Sequence, residues 1–186
     1  FNGGSQLALG SGADAVAISN IFINTNIAAA AGVIAAMLVS TALFGKVDLS
    51  KALNGAIGGL VSITAEPLTP SIGSAVFIGA VGGILVVLTV PLLDKLKIDD
   101  VVGAIPAHLV CGIWGTLIVP FTNSDVSYSV QAIGVVSVGI FVVIASGIIW
   151  SALKFTIGLR VPEDEELAGL DKSELGMEAY PDFSRG

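Results

Sequence analysis

The sequence predicts an all-α integral membrane protein, and three observations carry that expectation. Charged side chains make up only 12% of the chain, against about 25% in an ordinary soluble domain. Mean hydropathy is +0.91. Uncharged runs recur along the chain, each close to the ~20 residues a helix needs to cross a bilayer. One cysteine among 186 residues excludes a disulfide framework.

The elements follow in order. Residues 1–9 open on "FNGGSQLAL" and read as the end of a helix whose start lies outside the chain. With no initiator methionine and no signal-peptide pattern, the chain is expected to be a fragment lacking its N-terminal part. Four strong spans follow, at 25–44 ("TNIAAAAGVIAAMLVSTALF"), 71–93, 101–121 and 130–153. A weaker one at 52–65 ("ALNGAIGGLVSITA") has only 14 residues before Glu66-Pro67 and by length alone is compatible with a re-entrant segment. Residues 1–153 thus form the transmembrane domain and 154–186 a tail.

Charge decides the weak span. If every segment crosses, Lys46, Lys51, Lys95, Lys97, Lys154 and Arg160 fall on one side, while the connections at 10–24, 66–70 and 122–129 carry Asp14, Glu66 and Asp125 and no Lys or Arg. A re-entrant 52–65 destroys that partition, so it is taken as a span. The positive-inside rule then makes the lysine side, and the C-terminus, cytoplasmic. Trp150, near Lys154, suits the inner aromatic belt. Gly55, Gly58 and Gly59, Gly79, Gly82 and Gly83, and Gly112 and Gly115 sit at spacings that let helices approach closely, which implies a packed bundle. The acidity is local: residues 162–186 hold eight Asp or Glu against two Lys or Arg, which is −6 of the net −7. That excludes nucleic acid as a partner and reads as a solvated cytoplasmic tail.

His108 is the only histidine, set in the uncharged run "VVGAIPAHLVCGIWGTLIVPF". In one helix over 101–121 it lies roughly 4–5 Å from the midplane at 1.5 Å per residue. It either hydrogen-bonds a neighbouring helix as glue or lines a substrate path, the commoner role of an intramembrane ionisable group. Cys111 is three residues on, but no further Cys or His completes a metal site, so neither metal nor cofactor is expected. Ala104 lies one turn before His108, and Cys111 and Gly115 follow on the expected face, all small and uncharged. Such a lining leaves a bare cation unsolvated at a cost of several kcal/mol. It favours a small neutral or neutralised solute that hydrogen-bonds imidazole.

"FNGGS", "NGAIGGLVSIT", "IDDVVGAIPAHLVCGIWGTL" and "GLRVPEDEELAGLDKSELGMEAYPDF" resemble, in that order, successive signatures of the Amt/Mep/Rh ammonium transporters, nearest the bacterial Amt branch. The resemblance covers essentially the whole chain. It implies eleven membrane helices, the first ten in two inverted repeats with the path at their interface, and a homotrimer with a pore in each subunit. The chain then corresponds to the second inverted repeat, begun within its first helix, plus the eleventh helix and the cytoplasmic tail. By the same resemblance Phe1 is a gate aromatic and Ser5 a vestibule hydroxyl, four residues apart and hence on one helical face. Together they bind ammonium through a hydrogen bond and cation–π attraction. His108 is one member of a twin-histidine pair, with Ala104 beside it in the pore.

The chain departs from the family pattern at Gly103, where relatives carry an acid, at Pro106, expected to loosen the helix near His108, at Leu109 and at Leu175. The expected function is transport, not enzymology. The resemblance implies nitrogen uptake across the cell membrane, with ammonium (or methylammonium) recruited outside and deprotonated and ammonia conducted past His108. Alternatives are an ammonium sensor signalling through its tail and an electroneutral Rh-like gas channel. The tail is expected to adjoin a docking site for a PII-type regulator.

Overall fold

A computed structural model of the chain describes residues 1–181 and divides into two units, Phe1–Ser137 and Val138 onward. Among the described residues every regular element is helical. A 3-10 turn spans Asn2–Gln6, α1 Gly12–Phe44, α2 Leu49–Ile63 and α3 Ile72–Lys95. A π-helical segment, Ile105–Val110, runs directly into α4, Cys111–Thr122, and α5 spans Tyr128–Thr156. Four of these are long and apolar enough to cross a membrane: α1, α3, the π-helical segment with α4, and α5. At 15 residues, α2 is shorter.

α1 starts well before the expected span at 25–44. Its cap explains why. The Ser11 hydroxyl accepts from the Asp14 N–H at 3.1 Å, while the Asp14 carboxylate accepts from the Ser11 hydroxyl, the Gly10 N–H and the Gln6 amide. This arrangement satisfies one free donor of the helix start, the Asp14 N–H, and ties the preceding segment to the first turn. Thirty-three residues extend about 50 Å, beyond a hydrocarbon core of about 30 Å. Gly45 ends the helix in the left-handed region, φ 74°. Asp48 caps α2 and also pairs with Lys51 Nζ at 2.6 Å, and that hydrogen bond holds its carboxyl below the usual carboxylate range. Ser71 caps α3.

α1, α2 and α3 pack mutually, and the seam is built from small residues. A Cβ on Gly59 or Gly79 would meet the Ala28 backbone, one on Gly83 the Gly32 backbone, and one on Gly55 the Ala36 methyl. No side chain separates the helices there, so backbone surfaces touch, as expected from the glycine spacing. Ala28, Ile63, Ala75 and Ile78 form one buried cluster, and Val86, Ala107 and Cys111 a second. Asn24, buried in α1, donates to the carbonyls of Pro67 and Pro70 at 3.1 and 2.8 Å and so ties down the α2–α3 connection.

In the second unit no residue of α5 is buried, and Trp150 is exposed. Two short helices follow, α6 (Glu163–Ala168) and α7 (Leu170–Ser173). The Arg160 guanidinium bonds both Glu166 oxygens at 2.9 Å, Lys172 pairs with Glu178, and the Asp171 carboxylate accepts from the Ala179 N–H. The last contact draws the Asp171 carboxyl below its ordinary range, and Glu166 raises Arg160. Expectations for the last residues of the tail lie outside the described residues.

Candidate functional site

The site begins at the turn before the π-helical segment. Asp100 places one carboxylate oxygen 2.8 Å from the Ala104 N–H and the other 2.8 Å from the Ile105 N–H. Pro106 has no N–H to satisfy, and the Ala107 N–H reaches the Gly103 carbonyl at 3.2 Å. Every free donor of the first turn is thereby accounted for, and Pro106 sits where its ring is tolerated. Gly103 itself is left-handed, φ 74°, and a Cβ there would lie 2.5 Å from the Asn54 amide nitrogen. That amide donates to the Val102 carbonyl at 2.8 Å and fastens the turn to α2. The glycine at this position is thus explained by its backbone and its neighbour. A cavity of about 410 Å³ opens beside the turn, between Asp48, Lys51, Asn54 and Asp100.

The helix carrying His108 opens as a π-helix over Ile105–Val110, and Pro106 lies in its first turn, where it removes no helical hydrogen bond, so the expected loosening by proline is not its cause. The π-helical opening changes which residues share a face. Pro106, Ala107, Cys111, Gly115 and Val119 are buried against α2 and α3, whereas Ala104, His108, Leu109, Ile113 and Phe121 are exposed. The expectation that Cys111 and Gly115 share the His108 face is therefore corrected. A π-turn closes to the fifth residue and not the fourth. The inserted residue rotates everything beyond it by roughly 100°. The Cys111 thiol points at the Gly82 carbonyl at 3.4 Å, and a Cβ on Gly115 would lie 2.5 Å from the Ser62 carbonyl oxygen. Ala104 remains on the exposed side with His108. The imidazole hydrogen-bonds no described residue. Among the described residues no group of three or more His, Cys, Asp or Glu could hold a metal ion.

α4 is firmly anchored. Trp114 Nε1 donates to the Ile78 carbonyl at 3.1 Å, and its ring meets Phe77 edge-on with centroids 6.1 Å apart. Gln131, at the start of α5, donates to the Thr116 carbonyl at 2.8 Å.

Phe1 and Ser5 are both exposed, but they do not share a face. The segment is a 3-10 turn with Phe1 at its cap. At 3.0 residues per turn, positions four apart are separated by about 120°. What fixes the segment is Asn2, which sequence reasoning passed over: it is buried and donates to the Thr25 hydroxyl at 3.1 Å. A Cβ on Gly3 would lie 2.6 Å from the Phe22 ring. Asp100 was missed too, although an Asp ahead of a helix-opening stretch is a capping signal.

The family model described as Ammonium Transporter Family matches residues 1–180. The chain is 38% identical to ammonium transporter Amt2 of Archaeoglobus fulgidus over 204 residues, covering 98% of this chain and 42% of that protein. It is 34% identical to ammonium transporter Amt1 of Haloferax mediterranei, covering 90% of this chain and 33% of that one. Among solved structures it is similar to one titled "Sensor Amt Protein", with a TM-score of 0.85, 32% identity and coverage of 93% and 44%. It is also similar to Saccharomyces cerevisiae Mep2, with a TM-score of 0.76, 25% identity and coverage of 97% and 45%. The chain thus spans less than half the length of these relatives.

Proposed function

This chain belongs to the ammonium transporter family, and we propose that it supplies one wall of a conduit that moves ammonium across the cell membrane as ammonia. The observation that carries the reading is the exposed face of the His108 helix. It presents one imidazole among Ala104, Leu109, Ile113 and Phe121, with no charge. Such a wall offers a hydrogen bond to a neutral amine and no replacement for the hydration shell of a bare cation. Phe1 and Ser5 recruit ammonium at the opposite end of the membrane from the lysines, the proton leaves near that gate, and ammonia passes His108. The chain is the second inverted repeat with the eleventh helix, and the facing wall, with the second histidine, comes from beyond it. The lysine side and the tail are cytoplasmic, three copies assemble, and a PII-type regulator docks beside the tail.

Ammonium-induced current in proteoliposomes containing the full-length protein tests this. Flux without current points to an electroneutral gas channel. Ammonium binding with neither flux nor current points to a sensor, a second reading favoured by the similarity to the structure titled as a sensor.

Two consequences are measurable in the same system. Ser5→Ala removes one hydroxyl contact worth about 1 kcal/mol, so half-saturation for external ammonium should rise roughly fivefold with maximal flux nearly kept. A fall in maximal flux at unchanged half-saturation contradicts the assignment. Deleting residues 162–186 removes the Arg160–Glu166 and Lys172–Glu178 pairs. It should lower transport several-fold while the trimer stays assembled by size-exclusion chromatography. Normal transport and retained regulator binding would make the tail a passive appendage.

A further inference from the structure

We propose that Asp100 is a positioning residue: its carboxylate, holding the first two free N–H groups of the π-helical segment, sets the direction in which His108 faces the conduit. The inference rests on the reading of His108 as a pore residue. It starts from a segment fixed at both ends. Downstream, α4 is held by Cys111 on Gly82, Trp114 on Ile78 and Gly115 against Ser62. Upstream, the turn at residues 100–103 is held to α2 by the Asn54 amide on the Val102 carbonyl. Between these anchors the chain carries one residue more than a regular α-helix accommodates, and the excess is taken up as the π-turn. His108 lies inside that turn.

Asp100 joins the upstream anchor to the helix. Both of its oxygens are used, each 2.8 Å from a backbone N–H. Lys51, the cation lining the same cavity, is paired with Asp48 at 2.6 Å. The charge of Asp100 is therefore met by the helix start and not by a side chain. Asp100 stands eight residues before His108 and meets the helix through the backbone N–H groups of Ala104 and Ile105, so its effect on transport acts through the backbone. Without the carboxylate, the Ala104 and Ile105 N–H groups lose their acceptors, and the upstream end becomes the looser of the two. The extra residue then escapes into the turn, the π-turn relaxes to α, and His108 rotates relative to an unmoved α4.

The experiment uses the full-length protein in proteoliposomes, with ammonium as the probe and histidine labelled with nitrogen-15. The His108 signals are assigned by their loss in His108→Gln. Asp100→Ala should lower maximal flux about tenfold to a hundredfold, the range expected for a misaligned group. Half-saturation should stay within about twofold because capture lies elsewhere, and the His108 signals should move. Asp100→Ser, which keeps one acceptor, should recover part of the flux and part of the signal position. If Asp100→Ala does not reach the membrane, Asp100→Asn carries the test with a smaller loss. Full flux in either variant, or lost flux with unmoved His108 signals, overturns the proposal. A wild-type protein that moves no ammonium overturns the functional reading instead, and the imidazole signals still decide whether Asp100 orients His108.

Discussion

Potassium will compete with ammonium once His108 is replaced by glutamate. The exposed face of the π-helical segment and α4 carries no charge, and His108 is its polar group. A carboxylate at that depth places a full negative charge where an imidazole stood. A cation crossing there loses hydration worth several kcal/mol, and the carboxylate returns much of it as a direct ion pair. A gain of only 1.4 kcal/mol for potassium is a tenfold change, so the ratio of potassium to ammonium flux should rise by about an order of magnitude or more. Ion-replacement currents in proteoliposomes measure this, with His108→Gln as the uncharged comparison. An unchanged ratio in His108→Glu would remove His108 from the path.

The second large effect concerns stability. Gly79→Ala is expected to destabilise the protein by about 3 kcal/mol or more, at or above the upper end for an overpacked core. The added methyl would meet the Cα, carbonyl carbon and oxygen of Ala28. None of these is a side chain that can swing aside, so α1 and α3 must separate. Gly73→Ala, in the first turn of the same helix, meets only the Ser71 hydroxyl at 4.0 Å. It should be neutral or stabilising by about 0.4–1 kcal/mol through the unfolded chain. Thermal unfolding of the two variants in detergent separates these outcomes. Equal melting temperatures would mean that the α1–α3 seam contributes little to stability.

Much of this protein was legible in its sequence. Composition determined the class, because a chain with 12% charged residues and repeated apolar runs satisfies its backbone in a bilayer only as helices or a closed barrel, and the run lengths favoured helices. The glycine spacings on α2 and α3 foretold close helix approach, since two helices touch backbone to backbone only where side chains are absent, and the structure names α1 as the partner. The sequence also marked His108 as exceptional.

What only the tertiary structure decided is direction. α1 reaches back to Gly12 because Ser11, Gly10 and Gln6 converge on the Asp14 carboxylate, whereas hydropathy sees polar residues there and stops. Phe1 and Ser5 part because Asn2, bonded to Thr25, draws the segment into a 3-10 turn. Cys111 leaves the face of His108 because one residue is inserted between two fixed anchors. Periodicity assumes a constant rotation per residue. That constant holds along a regular helix and fails wherever distant contacts fix both ends of a segment at a length the regular helix does not fit.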